Sequence, residues 1–122
     1  MSRIVEILLY KLKPGTGGDF QAIMRDVSAP LHRRHGIDVV WHGPSMHDPD
    51  GYGLIRAFPD VAAMEATLAA FYAGDDWRQG PREAIVSRID VATKLVMPLP
   101  AVVIEGLRHP SPNVDVVAHL SR

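Results

Sequence analysis

The chain has 122 residues, 47% of them hydrophobic and 22% charged, which is typical of one folded soluble domain and excludes a disordered or fibrous chain. Its formal net charge is −1 and it has no block of like charges, so we expect neither a nucleic acid nor a membrane as partner. The absence of cysteine excludes disulfides and thiolate catalysis and fits a cytoplasmic protein. Glu6 and Lys11 interrupt the first apolar run, which is therefore neither a signal peptide nor a membrane span.

The first strand and the first helix are predicted from residues 4 to 35. Residues 4–13 alternate with apolar side chains on both faces, which is typical of a strand buried on both sides. Thr16 is the predicted N-cap of the helix, and Asp19 completes a capping box. Pro30 should bend the helix, which ends before Gly36. The predicted buried stripe, which we expect to continue to His35, consists of Phe20, Ile23, Met24, Val27 and Leu31.

The second half of the pattern contains two strands, a helix and a last strand. Residues 37–43 and 52–58 are predicted as strands joined by a polar loop, and Asp60 is the predicted N-cap of the second helix. A short helix from Pro81 and a strand over residues 89–97 follow. The second helix is predicted to bury Val61, Met64, Leu68, Phe71 and Tyr72.

This order, βαββαβ, predicts a ferredoxin-like α+β fold whose four-stranded antiparallel sheet carries both helices on one face. The other face is apolar and has little to cover it, so we expect a homodimer with the two sheets face to face, a dimeric α/β barrel. We divide the chain into a barrel domain, residues 1–98, and an extended C-terminal arm, residues 99–122. The arm is predicted to contain one or two short strands.

Three motifs resemble the NIPSNAP family of the dimeric α/β barrel superfamily. They are Tyr-Lys-Leu-Lys-Pro-Gly at residues 10–15, Pro-Leu-His-Arg-Arg-His-Gly at 30–36, and Phe71-Tyr72 with Asp76-Trp77 and the following Gly-Pro-Arg. The resemblance covers roughly residues 3–98 and leaves the arm outside. It implies the same fold and the same face-to-face dimer, but no single function.

Relatives on this fold include cofactor-free monooxygenases, haem-handling enzymes, isomerases and decyclases, so the fold alone does not identify a reaction. Family members often carry Glu, Arg and Tyr along one face of the first strand. Here Glu6 and Tyr10 are present, but Leu8 occupies the arginine position, which leaves that polar cluster incomplete. Some haem-degrading relatives use a histidine on the second helix, and residues 60–73 contain none, which places a haem binder third among our hypotheses.

Two groups of histidines are candidate metal ligands. His32 and His35 stand three residues apart on the first helix, which can bring two imidazoles to one metal. We favour the structural interpretation, in which His35 points towards the sheet and His32 lies at the helix end. His42, His47 and two aspartates (Asp48 and Asp50) surround the polar loop, where aspartate is a common turn residue. We therefore predict no metal site.

Two functional hypotheses remain. The first is a cofactor-independent oxygenase or isomerase that acts on a small apolar or aromatic molecule, with His35, Tyr10 and Arg56 as catalytic residues. An inward Arg56 or Glu6 needs a partner, so it forms either a salt bridge at the dimer interface or a polar anchor in a ligand cavity, and we favour the structural pair. The second hypothesis is a non-catalytic dimeric ligand-binding or structural module, in which these residues complete the core. The predicted substrate-binding residues of the first hypothesis are Trp41, His32, Tyr72 and Trp77.

Overall fold

The computed structural model describes residues 1–109 of the chain. The helices and strands follow in the order β1 (Ser2–Leu12), α1 (Gly17–Ile23), a π-helical segment (Met24–Ser28), α2 (Ala29–Arg34), β2 (Asp38–Pro44), β3 (Gly51–Phe58), α3 (Val61–Ala73), α4 (Asp75–Arg78), α5 (Arg82–Val86), β4 (Ile89–Pro100) and α6 (Ala101–Arg108).

The four strands form one antiparallel sheet in the order β2-β3-β1-β4. Side chains from α1 to α5 share one core with one face of this sheet, which we call the helix face. The predicted ferredoxin-like α+β architecture is therefore confirmed. The core of the helix face includes Leu8, Leu12, Phe20, Met24, Leu31, Leu54, Met64, Leu68, Phe71, Trp77 and Ile85.

The first helix contains a π-helical turn, which changes the side that its second half buries. Pro30 has no N–H and its ring would collide with the carbonyl of residue 26 in a regular α-helix. The wider turn over residues 24–28, in which the Ala29 N–H bonds to the Met24 carbonyl, relieves this conflict. The buried stripe consequently moves on by one residue, so that Ser28 and His32 are buried while Val27 is exposed.

The helix starts are capped differently from one another. Asp60 caps α3 as predicted, because its carboxylate accepts the Ala63 N–H at 2.7 Å. The capping box predicted for the first helix is wrong, since the Thr16 hydroxyl donates instead to the Lys13 carbonyl. The loop between β2 and β3 supplies the missing cap. The two carboxylate oxygens of Asp50 accept the N–H groups of residues 15 and 17, each at 3.0 Å.

Strand β2 contains a bulge that changes the orientation of Trp41. Val39 pairs with Arg56 and Trp41 pairs with Ile55, so Val40 is the extra residue. Val39 packs in the core of the helix face, whereas Val40 packs in a second core on the opposite face. The alternation in the sequence places Trp41 with Val39, and the bulge moves it to the face of Val40.

The opposite face of the sheet, which we call the far face, is partly covered by α6. Ile104 is buried there against Val5, Val40 and Ala57. The prediction of extended structure directly after β4 is therefore wrong for residues 101–108, which form a helix that packs back on the sheet. The rest of the predicted arm, residues 110–122, lies outside the described residues, and the division at residue 98 stays a prediction.

An ion-pair cluster holds the end of α6. Asp38 at the start of β2 accepts two hydrogen bonds from Arg108, each at 2.6 Å, and one from Arg3 at 2.8 Å. The hydrogen bonds from Arg108, and to a smaller extent the one from Arg3, hold the pKa of Asp38 below its usual value. The carboxylate therefore keeps its charge, and with it the contact to α6, at a lower pH than an ordinary aspartate would.

Candidate functional site

Arg56 is the centre of a polar cluster inside the core of the helix face. It lies on β3 directly opposite Glu6 of β1, and only 1% of the residue is exposed. Its Nε donates to Glu6 Oε1 at 2.7 Å, and its second terminal nitrogen contacts the same oxygen. The guanidinium beside Glu6 therefore comes from β3, while Leu8 of β1 packs in the apolar core.

His32 occupies another side of the Arg56 guanidinium. Its Nδ1 lies 2.7 Å from the Ser28 carbonyl oxygen, and its Nε2 lies 3.0 Å from Arg56 Nη1. A carbonyl can only accept, so Nδ1 carries the proton and Nε2 accepts from Arg56. Burial lowers the pKa of His32 from 6.5 to about 4, because a charged imidazole here would lose its water shell and face a guanidinium. His32 is consequently a neutral positioning group whose two nitrogens are both engaged.

Glu6 is fully buried, and its two carboxylate oxygens have different surroundings. Oε1 receives the hydrogen bonds from Arg56, whereas Oε2 receives none from the described part of the chain. Lys94 of β4 places its Nζ 3.0 Å from Oε2 as a charged neighbour, and its side chain is 52% exposed. The ion pair thus extends from the buried guanidinium to an ammonium group at the surface.

Tyr72 connects the cluster to the surface on the α3 side. Its hydroxyl oxygen accepts a hydrogen bond from Arg56 Nη1 at 2.6 Å, and the guanidinium also lies 5.6 Å from the ring centroid. The residue is 37% exposed, although the sequence predicts it as part of a buried stripe. Because the oxygen accepts, the hydroxyl hydrogen is free to donate to a ligand.

An aromatic cluster around Phe71 surrounds these groups. The ring centroids of His32, His35, Tyr72 and Trp77 lie 4.6, 5.4, 5.4 and 5.6 Å from that of Phe71. The structure therefore brings together five of the seven predicted site residues: His32, His35, Arg56, Tyr72 and Trp77. Trp77 is buried and locks the end of α3, as its place after the turn predicts.

The predicted orientation of the two histidines is wrong. His35 is exposed, and its Nε2 lies 2.9 Å from the Asp76 carboxylate on α4. His32 takes the inward position that the sequence pattern gives to His35, because the π-helical turn shifts the helix by one residue. His35 still contacts the Phe71 ring edge-on, so its imidazole lies at the rim of the aromatic cluster.

Trp41 lies away from this cluster, whereas Tyr10 lies close enough for the charges of Tyr72, Arg56 and Glu6 to affect its pKa, without a hydrogen bond to any of them. Tyr10 is on the helix face, where its ring packs edge-on to Phe20 at 5.6 Å and burial raises the pKa of its hydroxyl. Trp41 is on the far face, where it lines a recess of about 330 Å³. Its ring lies over Gly43 and Gly53, where an added Cβ would come within 2.8 and 3.0 Å of the indole.

The two histidines of the second predicted group, His42 and His47, do not lie together. His42 Nδ1 lies 2.7 Å from the Tyr52 hydroxyl, and burial lowers the pKa of this imidazole. His47 is exposed in the loop, where Asp48 accepts a backbone N–H. Within residues 1–109, no group of three or more His, Asp or Glu side chains is placed to hold a metal ion.

Two contributors to the site carry no recognisable signal in the sequence. Lys94 belongs to an edge strand on which lysine is ordinary, and its approach to Glu6 depends on the strand register. Ser28 acts through its backbone carbonyl, which any residue possesses. Only the position of the π-helical turn, four residues before His32, makes it important.

The comparison with known proteins identifies the fold. No protein-family model and no curated protein sequence matches the chain. Among solved structures, a NIPSNAP family protein from Agrobacterium tumefaciens is similar with a TM-score of 0.73 at 9% identity, over 81% of this chain and 87% of the other. A second NIPSNAP family protein of unknown function from the same organism gives 0.72 at 22% identity, over 80% and 87%.

A protein from Bacteroides thetaiotaomicron, whose name assigns it provisionally to antibiotic biosynthesis monooxygenases, gives a TM-score of 0.60 at 12% identity, over 81% and 90% of the two chains. At these identities the likeness concerns the fold. The chain has the ferredoxin-like fold of NIPSNAP family structures, which confirms the resemblance at that level. In the part of the chain that the structure covers, no helix is long and apolar enough to cross a lipid bilayer.

Proposed function

We propose that this chain is a cytoplasmic homodimeric enzyme that needs no cofactor and begins its reaction by removing a proton from a small apolar or aromatic molecule. A cofactor-independent oxygenase and an isomerase both begin in this way, because each needs an electron-rich carbon to which O₂ or a returning proton can add. The observation that carries the proposal is the 2.6 Å hydrogen bond from Arg56 to Tyr72, which links a buried cation to a partly exposed tyrosine.

The charges of the cluster favour negative charge on a bound molecule. With His32 neutral, Glu6 is a single carboxylate beside two cations, Arg56 and Lys94. The excess positive charge lies towards the surface, because Lys94 is the exposed member. A substrate carbonyl or phenol oxygen that accepts from the Tyr72 hydroxyl would gain stabilisation as it becomes an enolate or phenolate.

His35 is the group suited to take the proton. If its Nε2–H donates to Asp76, Nδ1 carries the free lone pair, and the carboxylate stabilises the imidazolium that forms. Both His35 and Tyr72 pack against the buried Phe71 ring, which therefore holds an acceptor and a hydroxyl donor on one aromatic side chain. An aromatic substrate would contact the exposed parts of His35 and Tyr72.

Proton–deuterium exchange tests this proposal. A panel of small aryl ketones that carry a C–H next to the carbonyl is incubated in D₂O with the protein, and loss of that carbon-bound proton is followed by NMR. We expect wild type to accelerate exchange for at least one compound. Tyr72→Phe should lower the rate roughly 10²-fold, the usual effect of removing one donor to a developing oxyanion. His35→Gln should lower it by a similar or larger factor.

Tyr52→Phe and His47→Gln are the matched controls, because they remove a hydroxyl and an imidazole outside the cluster. Both should exchange at the wild-type rate. No acceleration with any compound, or equal rates for Tyr72→Phe and Tyr52→Phe, would contradict the enzymatic proposal.

The homodimer belongs to the same proposal and is supported by where the exposed apolar side chains lie. Leu9 and Leu95 of the far face are 58% and 54% exposed, and Val91 is exposed beside them. Such a patch usually marks an interface. We expect sedimentation to give the mass of a dimer, and a monomer at micromolar concentration would contradict this part of the proposal.

A non-catalytic module is a second candidate, favoured by the fact that Arg56 finds partners within its own chain. Glu6, His32 and Tyr72 all accept from it, as in a purely structural network. Replacing a buried ion pair by apolar residues is often neutral for stability, whereas removing one partner costs about 3–5 kcal/mol. If the cluster is only structural, Glu6→Leu/Arg56→Met will fold stably and keep any exchange activity that wild type shows.

A further inference from the structure

The far face consists of two halves with different covers. At the end where β1 begins, Ile104 of α6 lies over Val5 and Val40. At the opposite end, which we call the open half, the structure places no helix from residues 1–109 over the sheet. The open half carries the Trp41 recess together with outward residues from all four strands: Leu9, Trp41, Gly43, Gly53, Val91 and Thr93.

Helix α6 exposes an apolar side chain, Val102, on the side that faces away from its own sheet. Val102 stands two residues from Ile104, about 200° around the helix, and is 79% exposed. Val103 is also exposed, and Gly106 has open space around its Cβ position, so another chain can approach closely there.

We infer that, in the homodimer proposed above, α6 of each protomer covers the open half of the partner's sheet, with Val102 over the Trp41 recess. A twofold axis that lies between the two sheets and runs across the strands reverses the strand direction. It therefore brings the α6 end of one far face over the open half of the other. The two copies of α6 then lie side by side in one layer between the sheets, so the far faces meet through α6 and not in the direct face-to-face contact that the sequence predicts.

This arrangement satisfies the requirements of an isologous interface. Such an interface must be self-complementary, so a ridge on one protomer needs a matching recess on the same face. Here the far face carries both, the Val102 side of α6 and the recess beside Trp41. Both are apolar, and neither is covered within residues 1–109. The recess is thus completed by the partner chain, which makes Trp41 an interface residue.

Because the chain has no cysteine, paired cysteines report the arrangement directly. Leu9→Cys/Val102→Cys is treated with a short bis-maleimide, and we expect a covalent dimer on a denaturing gel. Leu9→Cys/Val61→Cys is the matched control, since Val61 is an exposed valine of α3 on the helix face. It should give no more covalent dimer than either single-cysteine variant.

The second measurement uses Trp77→Phe, which leaves Trp41 as the sole tryptophan. Dilution below the dimer dissociation constant should shift the Trp41 emission to longer wavelength. Val102→Asp, which would bury an unpaired charge, should weaken the dimer on the order of tenfold or more.

The outcomes separate this inference from the proposed function. A dimer by sedimentation without a Leu9–Val102 cross-link would overturn the placement of α6 and leave the homodimer intact. A monomer would overturn both. A recess that binds a small apolar compound in the undiluted wild-type protein, reported by Trp41 quenching, would also overturn the placement. None of these results depends on proton exchange, which tests the cluster on the other face.

Discussion

At the scale of single residues, His32 makes stability depend on pH. Its folded-state pKa of about 4 lies below the value of 6.5 for an unfolded chain, so the unfolded state binds more protons between these limits. The contribution is complete above pH 6.5 and is lost as the pH falls towards 4. From the size of the shift, we expect the free energy of unfolding to fall by roughly 3 kcal/mol over this window.

Urea unfolding at several pH values measures this slope. His32→Gln should be less stable at pH 7 and should show a flatter dependence between pH 4 and 6.5. His47→Gln, which replaces an exposed loop histidine, should keep the slope of wild type. A wild-type slope retained in His32→Gln would assign the effect to other groups, among which His42 also has a lowered pKa.

The composition of the site could be predicted, but its internal arrangement could not. Spacing and residue type single out Arg56, Tyr72 and Trp77, and the structure brings these side chains to one cluster. The choice between His32 and His35 as the inward histidine needs knowledge of the helix turn before them. The contact between Glu6 and Arg56 could not be predicted either, because it depends on the register of two strands fifty residues apart.

At the scale of elements, the orientation of the two histidines and that of Trp41 are each changed by one inserted residue. The π-helical turn over residues 24–28 adds a residue to a helix, and the bulge at Val40 adds one to a strand. Each leaves the element itself where its periodicity predicts it, but rotates the side chains that follow. Pro30 is a visible cause of the first. The second depends on how β2 pairs with β3, which no local pattern encodes.

The cap of α1 provides a prediction about one element. Asp50→Ala leaves the N–H groups of Gly15 and Gly17 without their acceptor, so we expect a loss of about 1–2 kcal/mol in the free energy of unfolding. Asp19→Ala removes the residue that the sequence pattern assigns to the cap and should cost less than about 0.5 kcal/mol, because Asp19 is exposed. Denaturant unfolding compares the two variants. A larger loss of stability for Asp19→Ala than for Asp50→Ala would support the capping box that the sequence predicts.

At the scale of the whole molecule, the order of segments is enough to predict the sheet and the helix layer. The cover of the far face is not predictable in this way, since α6 has only eight residues and follows two prolines. A helix of this length is unstable alone, and docking on the sheet supplies its stability. The information for α6 therefore lies in Val5, Val40 and Ala57, which are distant in the chain.

Ile104→Ala tests that dependence. Ile104 is buried in the far-face core, so its truncation should cost about 2–5 kcal/mol, because it leaves a cavity between α6 and the sheet. Release of α6 would also uncover apolar surface and increase the fluorescence of a bound hydrophobic dye. Val61→Ala is the control, because Val61 is an exposed valine of α3 outside the far face. It should change the free energy of unfolding by less than about 0.5 kcal/mol. Equal stability of Ile104→Ala and wild type would mean that α6 contributes nothing to the fold.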